Sequence, residues 1–140
     1  MPPPRSIKIP AVLESLQAIT EFVTAAASTA GFSARRTGDM ELVLEEAVTN
    51  VFKYANPGNP GEIEVSCCSG GGKFSIEIRD SGKEFDITGL PDPDLSQDIA
   101  ERPIGGLGAY LIKKLADEVS YRRLSGFNVL TLGFKQEPEK

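Results

Sequence analysis

Two stretches in the first half of the chain carry apolar residues at helical spacing. They span residues 10–29 and 33–55, and in both the apolar positions recur at i, i+3 and i+4. Pro10 suits the first position of the first helix, and Ser33 is a candidate N-cap for the second. Residues 56–61 contain two prolines and two glycines, which end the second helix. The pattern therefore predicts two amphipathic helices.

The other periodic segments alternate between apolar and polar residues, which is typical of half-buried strands. A short strand is expected near the N-terminus. One hairpin turns at residues 69–72, and a second, turning at Ser125 and Gly126, lies near the C-terminus. The predicted strands cover residues 5–9, 63–67, 74–79, 119–123 and 127–134, and a third helix covers residues 106–117. Helices between antiparallel hairpins predict an α/β sandwich, a mixed, mostly antiparallel sheet with helices on one face.

Composition narrows the classes of function. The chain has 140 residues, 40% of them hydrophobic, and a net charge of −5, so residues 1–140 are expected to form one domain that does not bind nucleic acid. No apolar run reaches the length of a membrane span, and the first residues lack a signal-peptide core. Cys67 and Cys68 would point to opposite faces of a strand and are expected to be reduced cytosolic thiols. The sequence contains no histidine, which excludes a histidine metal ligand, general base or phospho-acceptor within this chain.

Glu46 and Asn50 form the first of three candidate motifs. They lie one helical turn apart and project from one side of the second helix, at the margin of its apolar stripe. An amide oxygen can ligate Mg²⁺, and a carboxylate beside it can orient water or accept a hydroxyl proton. The alternative is a solvated helix flank with a capping asparagine.

Asp80 and Gly82 form the second motif. Asp80 follows an alternating strand, so its carboxylate lies at a strand end, where it can accept a hydrogen bond from an amino group such as the exocyclic amine of adenine. Gly82 permits a positive φ or the close approach of a flat ligand. The alternative is a plain Asp-Ser-Gly turn.

The third motif is a glycine-rich turn, Gly105, Gly106, Leu107 and Gly108, at the start of the third helix. Free N–H groups and the positive end of the helix dipole make such a turn an anion site, which phosphates can approach in the absence of Cβ atoms. It matches neither a P-loop nor a Rossmann fingerprint. The alternative is a helix N-cap with a flexible hinge.

In this order and spacing the motifs resemble the N box, the Asp-x-Gly box and the glycine-rich lid end of the GHKL ATPase/kinase fold, which gyrase and histidine kinases share. The more specific resemblance is to bacterial anti-sigma factor serine/threonine kinases, and it covers nearly the whole chain. The runs that carry it are Glu46–Asn50, Phe85-Asp86, Gly105–Gly108 and Leu111–Val119.

Two positions depart from the family pattern. Lys53 stands where many relatives carry histidine. The late Gly-x-Thr element of other GHKL proteins reads Gly126-Phe127-Asn128 here, which leaves Thr131, Asn128 or neither in the role of that threonine.

The resemblance implies a cytoplasmic switch that uses Mg-ATP to phosphorylate a STAS-type anti-sigma factor antagonist on serine or threonine and usually sequesters a sigma factor. A homodimer is a further expectation. The resemblance implies Glu46 as general base and Asn50 as Mg²⁺ ligand. The implied nucleotide-binding residues are Asn50, Asp80, Gly82, Gly105, Gly106, Leu107, Gly108 and Thr131. Residues 83–104, which show no period and contain three prolines, would form a mobile lid over the phosphates.

Two other interpretations stay open. The chain could be a non-catalytic ATP-binding module that controls a phosphatase or another signalling partner, which the intact Glu46 disfavours. It could also be the ATP-binding domain of a histidine kinase, although it contains no phospho-acceptor histidine of its own.

Overall fold

The structure is a computed structural model that describes residues 5–55, 61–89 and 106–136. These residues form five strands and three α-helices. The strands are β1 (Arg5–Pro10), β2 (Glu62–Gly70), β3 (Lys73–Asp80), β4 (Glu118–Leu124) and β5 (Phe127–Lys135). The helices are α1 (Leu16–Thr29), α2 (Ala34–Asn50) and α3 (Gly106–Leu115).

All five strands belong to one sheet in the order β1-β2-β3-β5-β4, and each neighbouring pair is antiparallel. Gly71 and Gly72 have φ angles of 62° and 75°, and Ser125 and Gly126 have φ angles of 51° and 86°. Two consecutive residues with positive φ match the twist of the strands that they join, and both predicted hairpins are confirmed. Within the described residues the sheet is fully antiparallel rather than mixed.

The helices cover one face of this sheet, which confirms the predicted α/β sandwich. Alternate residues of the two central strands point into the helical layer and are at most 7% exposed. They are Phe74, Ile76 and Ile78 on β3, and Leu130, Leu132 and Phe134 on β5. The stripe of α2 that meets them, Met40, Val43, Leu44 and Val48, is completely buried. α2 also contacts both α1 and α3. This packing holds the last turn of α2 in place relative to the sheet.

The chain enters α1 differently from the sequence prediction. Pro10 does not open a helix but is the last residue of β1, paired with Glu62. An edge strand tolerates proline because its outward side needs no N–H donor. Val12 is extended, one 3₁₀ turn follows at Leu13–Ser15, and α1 begins only at Leu16.

The start of α2 agrees with the sequence prediction. Ser33 is extended, and its Oγ accepts a hydrogen bond from the backbone nitrogen of Arg36 at 3.1 Å, so the predicted N-cap is confirmed. After Asn50 the helix continues as one π-helical turn, Val51–Ala55. Residues 56–60, the predicted helix stop, lie outside the described residues.

Arg36 joins α2 to the C-terminal end of α3. Its guanidinium donates to the backbone oxygen of Leu115 at 2.9 Å, forms ion pairs with Asp39 and Asp117, and lies 5.0 Å from the centre of the Phe134 ring. The helix ends at Leu115, two residues before its predicted end, and the backbone nitrogen of Asp117 donates to the oxygen of Gly133 on β5 at 2.8 Å instead of to the helix.

The two cysteines point to opposite faces of β2, as expected for adjacent strand residues. Cys67 is buried in the core, Cys68 is half-buried, and both thiols are free. Burial raises the pKa of Cys67 to about 12, so this side chain packs as a neutral thiol.

The predicted lid, residues 83–104, is described only over its first seven residues. Residues 83–89 continue from β3 and include a 3₁₀ turn at Ile87–Gly89. Residues 90–104 lie outside the described residues, and the lid stays a prediction. In the part of the chain that the structure covers, no helix is both long and apolar enough to cross a membrane.

Candidate functional site

Asn50 lies buried at the C-terminal end of α2, with 6% of its surface exposed. Its Nδ2 donates a hydrogen bond to the backbone oxygen of Glu46 at 2.8 Å. Because a carbonyl only accepts, this bond fixes the orientation of the amide. Oδ1 accepts no hydrogen bond from any described residue, and an amide oxygen is a ligand that suits Mg²⁺. The solvated-flank interpretation therefore does not hold for Asn50.

The carboxylate of Glu46 packs against the first turn of α3. A Cβ atom added to Gly108 would lie 2.6 Å from Oε2 of Glu46 and 3.4 Å from Nδ2 of Asn50. The first distance is shorter than any ordinary carbon–oxygen contact, so a side chain at position 108 would displace the Glu46 carboxylate from its place against α3. The first and third motifs therefore meet in the structure.

The glycine-rich turn opens α3 as the sequence predicts. Gly106 is the first residue of this helix, Leu107 and Gly108 follow in the same turn, and Gly105 lies outside the described residues. The first N–H groups of an α-helix have no partner within the helix, and they carry the positive end of its dipole. A helix start whose free N–H groups are able to bind an anion thus lies directly beside Glu46.

Asp80 is the last residue of β3 and is 2% exposed. Its Oδ1 accepts hydrogen bonds from the backbone nitrogen of Gly82 at 2.9 Å and from Nδ2 of Asn128 at 3.1 Å. Burial raises the pKa of the Asp80 carboxyl above its ordinary value, although these two donors and the charge of Arg123 act in the opposite direction. Oδ2 accepts no hydrogen bond from any described residue. The Asp-Ser-Gly turn is therefore present, and it leaves one buried acceptor for a ligand.

Asp80 and Asn50 line the same crevice between α2 and the sheet. Asn128 also lines this crevice, and the remaining walls are apolar or aromatic. These walls are formed by Ala47, Val51, Ile78, Phe85, Ile87, Tyr121 and Leu130. The chemistry of this lining suits a flat ring with an amino group, because apolar walls would desolvate the ring and Oδ2 of Asp80 would accept from its amine.

Thr131 does not join this site. Asp80 is paired with Asn128 across β3 and β5, whereas Thr131 is paired with Glu77. Paired residues project to the same face of a sheet and successive residues alternate, so Thr131 lies on the face away from the helices. The expectation that Thr131 binds the nucleotide is thereby corrected, and Asn128 takes the position beside Asp80.

The sequence pattern identifies Asn128 only as an alternative to Thr131, and it assigns no role to Tyr121 or Arg123. The Tyr121 hydroxyl donates to Oδ1 of Asn128 at 2.6 Å, and Arg123 donates to the backbone oxygen of Gly82 at 2.7 Å. Arg123 is paired directly with Asn128. The register of the last hairpin, together with strand alternation, is the signal that would have indicated both residues.

Comparison with known proteins identifies relatives over nearly the full chain. Residues 9–134 match the profile of the histidine kinase-like ATPase domain. The curated "Serine-protein kinase RsbW" of Bacillus cereus (strain AH187) is 29% identical over 137 residues, covering 95% of this chain and 86% of that kinase. The protein of the same name from Bacillus thuringiensis (strain Al Hakam) matches with the same identity and coverage.

Two solved structures share the fold. One contains the RsbU and RsbW domains of Rv1364c from Mycobacterium tuberculosis, with a TM-score of 0.67 and 18% identity, and the match covers 96% of this chain and 32% of that one. The other is the Acinetobacter baumannii histidine kinase AdeS, with a TM-score of 0.52 and 15% identity over 96% of this chain and 68% of that one. At these identities the likeness concerns the fold alone.

Proposed function

The chain belongs to the histidine kinase-like ATPase domain family, and from this membership we propose that it is an ATP-dependent serine/threonine protein kinase that acts as an anti-sigma factor. The observation that carries the proposal is the meeting of Asn50, Asp80, Glu46 and Gly108 at one crevice and its rim. The similarity to proteins named serine-protein kinase supports the choice of a hydroxyl acceptor over histidine.

Asp80 is the residue that would select adenine. Its Oδ2 is a buried acceptor, and the amino group of adenine would donate to it. Guanine presents a carbonyl oxygen at the corresponding position, which would face the carboxylate without a proton between them. Gly82 supports this selectivity because its N–H holds the other carboxylate oxygen.

The start of α3 and the end of α2 would hold the phosphates. The N–H groups of Gly106, Leu107 and Gly108 lie in the first turn of α3, and Gly105 would complete the turn. Oδ1 of Asn50 would be a ligand of Mg²⁺, which would supply neutralisation of the phosphate charge. Residues 83–104 would cover this end of the site.

Glu46 is proposed as the general base for the incoming serine or threonine hydroxyl. Its carboxylate is half-buried beside the first turn of α3 and one helical turn from Asn50. From there it would accept or orient the proton of a hydroxyl that approaches the terminal phosphate, an effect typically of about 10²–10⁴-fold.

The proposed acceptor is a STAS-type anti-sigma factor antagonist, and the proposed second partner is a sigma factor, both in the cytoplasm. The proposal further includes a homodimer. Support for an antagonist and a sigma factor as partners comes from the similarity to proteins named RsbW, while the site itself supports nucleotide binding and hydroxyl activation.

The deciding experiment mixes the purified chain and Mg²⁺ with γ-labelled ATP and the STAS antagonists of the same genome. We expect label on a serine or threonine of one antagonist. Glu46→Gln should keep ATP binding and lose most transfer, whereas Glu45→Gln, on the exposed flank of α2, should transfer at the wild-type rate. Wild-type protein that binds ATP but labels no antagonist would instead be the non-catalytic regulatory module.

A further inference from the structure

Asn128 is the most highly connected polar side chain of the crevice. It is 4% exposed on β5, and its Nδ2 donates to Oδ1 of Asp80 at 3.1 Å and to the backbone oxygen of Lys83 at 2.8 Å. One amide group therefore contacts both the candidate adenine acceptor and the loop that follows β3.

The oxygen of the same side chain is held equally firmly. Oδ1 of Asn128 accepts from the Tyr121 hydroxyl at 2.6 Å, from the backbone nitrogen of Phe85 at 3.2 Å and from Arg123 at 3.2 Å. All of these partners are donors, while the partners of Nδ2 are acceptors, so the amide has a single satisfied orientation.

We propose that Asn128 is a positioning residue for the nucleotide, with two effects that rest on the proposed function. It donates to the inner oxygen of Asp80, so that the outer oxygen stays an acceptor toward the crevice. It also binds the backbone of Lys83 and Phe85, which fixes the Phe85 wall of the crevice. Asn128 thus couples the adenine acceptor to Lys83 and Phe85, at the described start of residues 83–104.

The substitution Asn128→Asp tests the donor directly, because it keeps the shape and exchanges Nδ2 for oxygen. The introduced oxygen would face two acceptors, Asp80 and the Lys83 carbonyl. Two carboxyl groups at this separation share a proton, and the proton leaves the pair only at raised pH. When protonated, the introduced group donates to Asp80 as the amide does, and when ionised it repels Asp80.

Other charged or titratable groups lie around Asp80 and the introduced carboxyl group, and they affect the expected pH dependence. They are Tyr121 and Arg123 on β4, and Glu84 and Asp86 on the loop after β3. The lining residues that α2 contributes carry no charge. Burial and the Glu84 carboxylate raise the pKa of Tyr121, so its hydroxyl remains a donor throughout the test range.

The measurement is the ratio of the ATP dissociation constants of Asn128→Asp and wild type at several pH values, which cancels the titration of ATP itself. We expect a ratio below about 3 near pH 5.5, rising to roughly 10–100 near pH 8, the scale of one lost hydrogen bond to a charged group. Ser120→Asp, which places the same charge on the exposed outer side of β4, should show a flat ratio. A ratio for Asn128→Asp that is independent of pH overturns the proposal.

A second variant decides the matter if Asn128→Asp fails to fold by circular dichroism at both pH values. Asn128→Thr retains one donor for Asp80 but is too short to reach Phe85. Hydrogen exchange of the Phe85 amide should become at least about tenfold faster while the amides of β3 remain protected. Unchanged exchange at Phe85 would refute the positioning role. Wild-type protein that binds no ATP would overturn the proposed function, and the exchange result would still decide the role of Asn128.

Discussion

Gly108 and Glu46 are so close that a side chain at position 108 would displace the Glu46 carboxylate: a Cβ atom there would lie 2.6 Å from Oε2 of Glu46. The glycine has a role beyond access of phosphate to the helix start. It allows the carboxylate proposed as general base to rest against α3.

Replacing Gly108 by alanine should therefore impair transfer more than folding. The methyl group would displace the Glu46 carboxylate, and a misplacement of about 1 Å costs on the order of 10²-fold in rate. Single-turnover phosphotransfer at saturating ATP measures the effect. Gly38→Ala is the matched control, since nothing lies within 4 Å of its added Cβ. It should leave the rate unchanged and stabilise α2 by up to about 1 kcal/mol. Equal rates for the two variants would contradict the proposed placement of the base.

Asp80→Asn should weaken ATP binding strongly and reduce the preference for ATP over GTP. The amide places a donor opposite the amino group of adenine, and loss of this charged hydrogen bond corresponds to roughly 10–100-fold in affinity. Calorimetry with both nucleotides gives the two affinities. Glu77→Gln removes the same charge from the other face of β3 and should bind like wild type. Wild-type protein with equal affinity for ATP and GTP would rule out Asp80 as the adenine contact.

Asn50→Ala should specifically remove the magnesium-dependent part of nucleotide affinity. Oδ1 of Asn50 is the proposed ligand, so the gain in affinity on adding Mg²⁺ should fall by about tenfold or more, the scale of a disturbed metal shell. Thr49→Ala is the control. It removes a hydrogen bond from the Thr49 hydroxyl to the backbone oxygen of Glu45, at 2.6 Å, on the same helix but away from the crevice. Thermal unfolding with ADP, with and without Mg²⁺, compares the two variants. An Asn50→Ala protein that is unfolded without nucleotide would assign Asn50 a purely structural role.

Asp80 should lower the stability of the free protein at neutral pH. Its pKa is raised by burial in the folded state, so the folded chain holds this proton more tightly than the unfolded chain. The contribution to stability is complete below the unfolded pKa of about 3.9 and is lost as pH rises through the folded pKa. Asp80→Asn should therefore be more stable than wild type at pH 7, with a difference that shrinks toward about pH 3.5. Urea unfolding of both proteins at several pH values tests this, and a difference that grows on acidification would reverse the sign assigned here.

Local sequence patterns were sufficient to predict the helices, strands and turns that position the site. The helical spacing of Glu46 and Asn50 placed both side chains on one flank, and the glycine-containing turns gave the positions of both hairpins. The strand end at Asp80 followed from alternation alone. In each case the information lies within a few residues of the chain, where backbone sterics and burial act directly.

The remaining features depend on contacts between distant segments. Asn128 lies beside Asp80 only because β5 pairs with β3 in one register, across 48 residues of sequence. Thr131 was excluded by the same register, since three residues along a strand reverse the face. The proline at position 10 was misassigned because its conformation suits both a first helical turn and the end of an edge strand.

Arg36, with its partners Asp39, Leu115 and Asp117, anchors the C-terminal end of α3. The helix can therefore act as a lever that pivots at Leu115. One end is fixed by the bond from Arg36 to the Leu115 carbonyl, while the other end carries Gly108, about 10 Å along the axis. A tilt of about 5° at the fulcrum would shift Gly108 by about 0.9 Å. Substitutions at Arg36 or Asp117 could thus change the rate of transfer without contacting either nucleotide or acceptor.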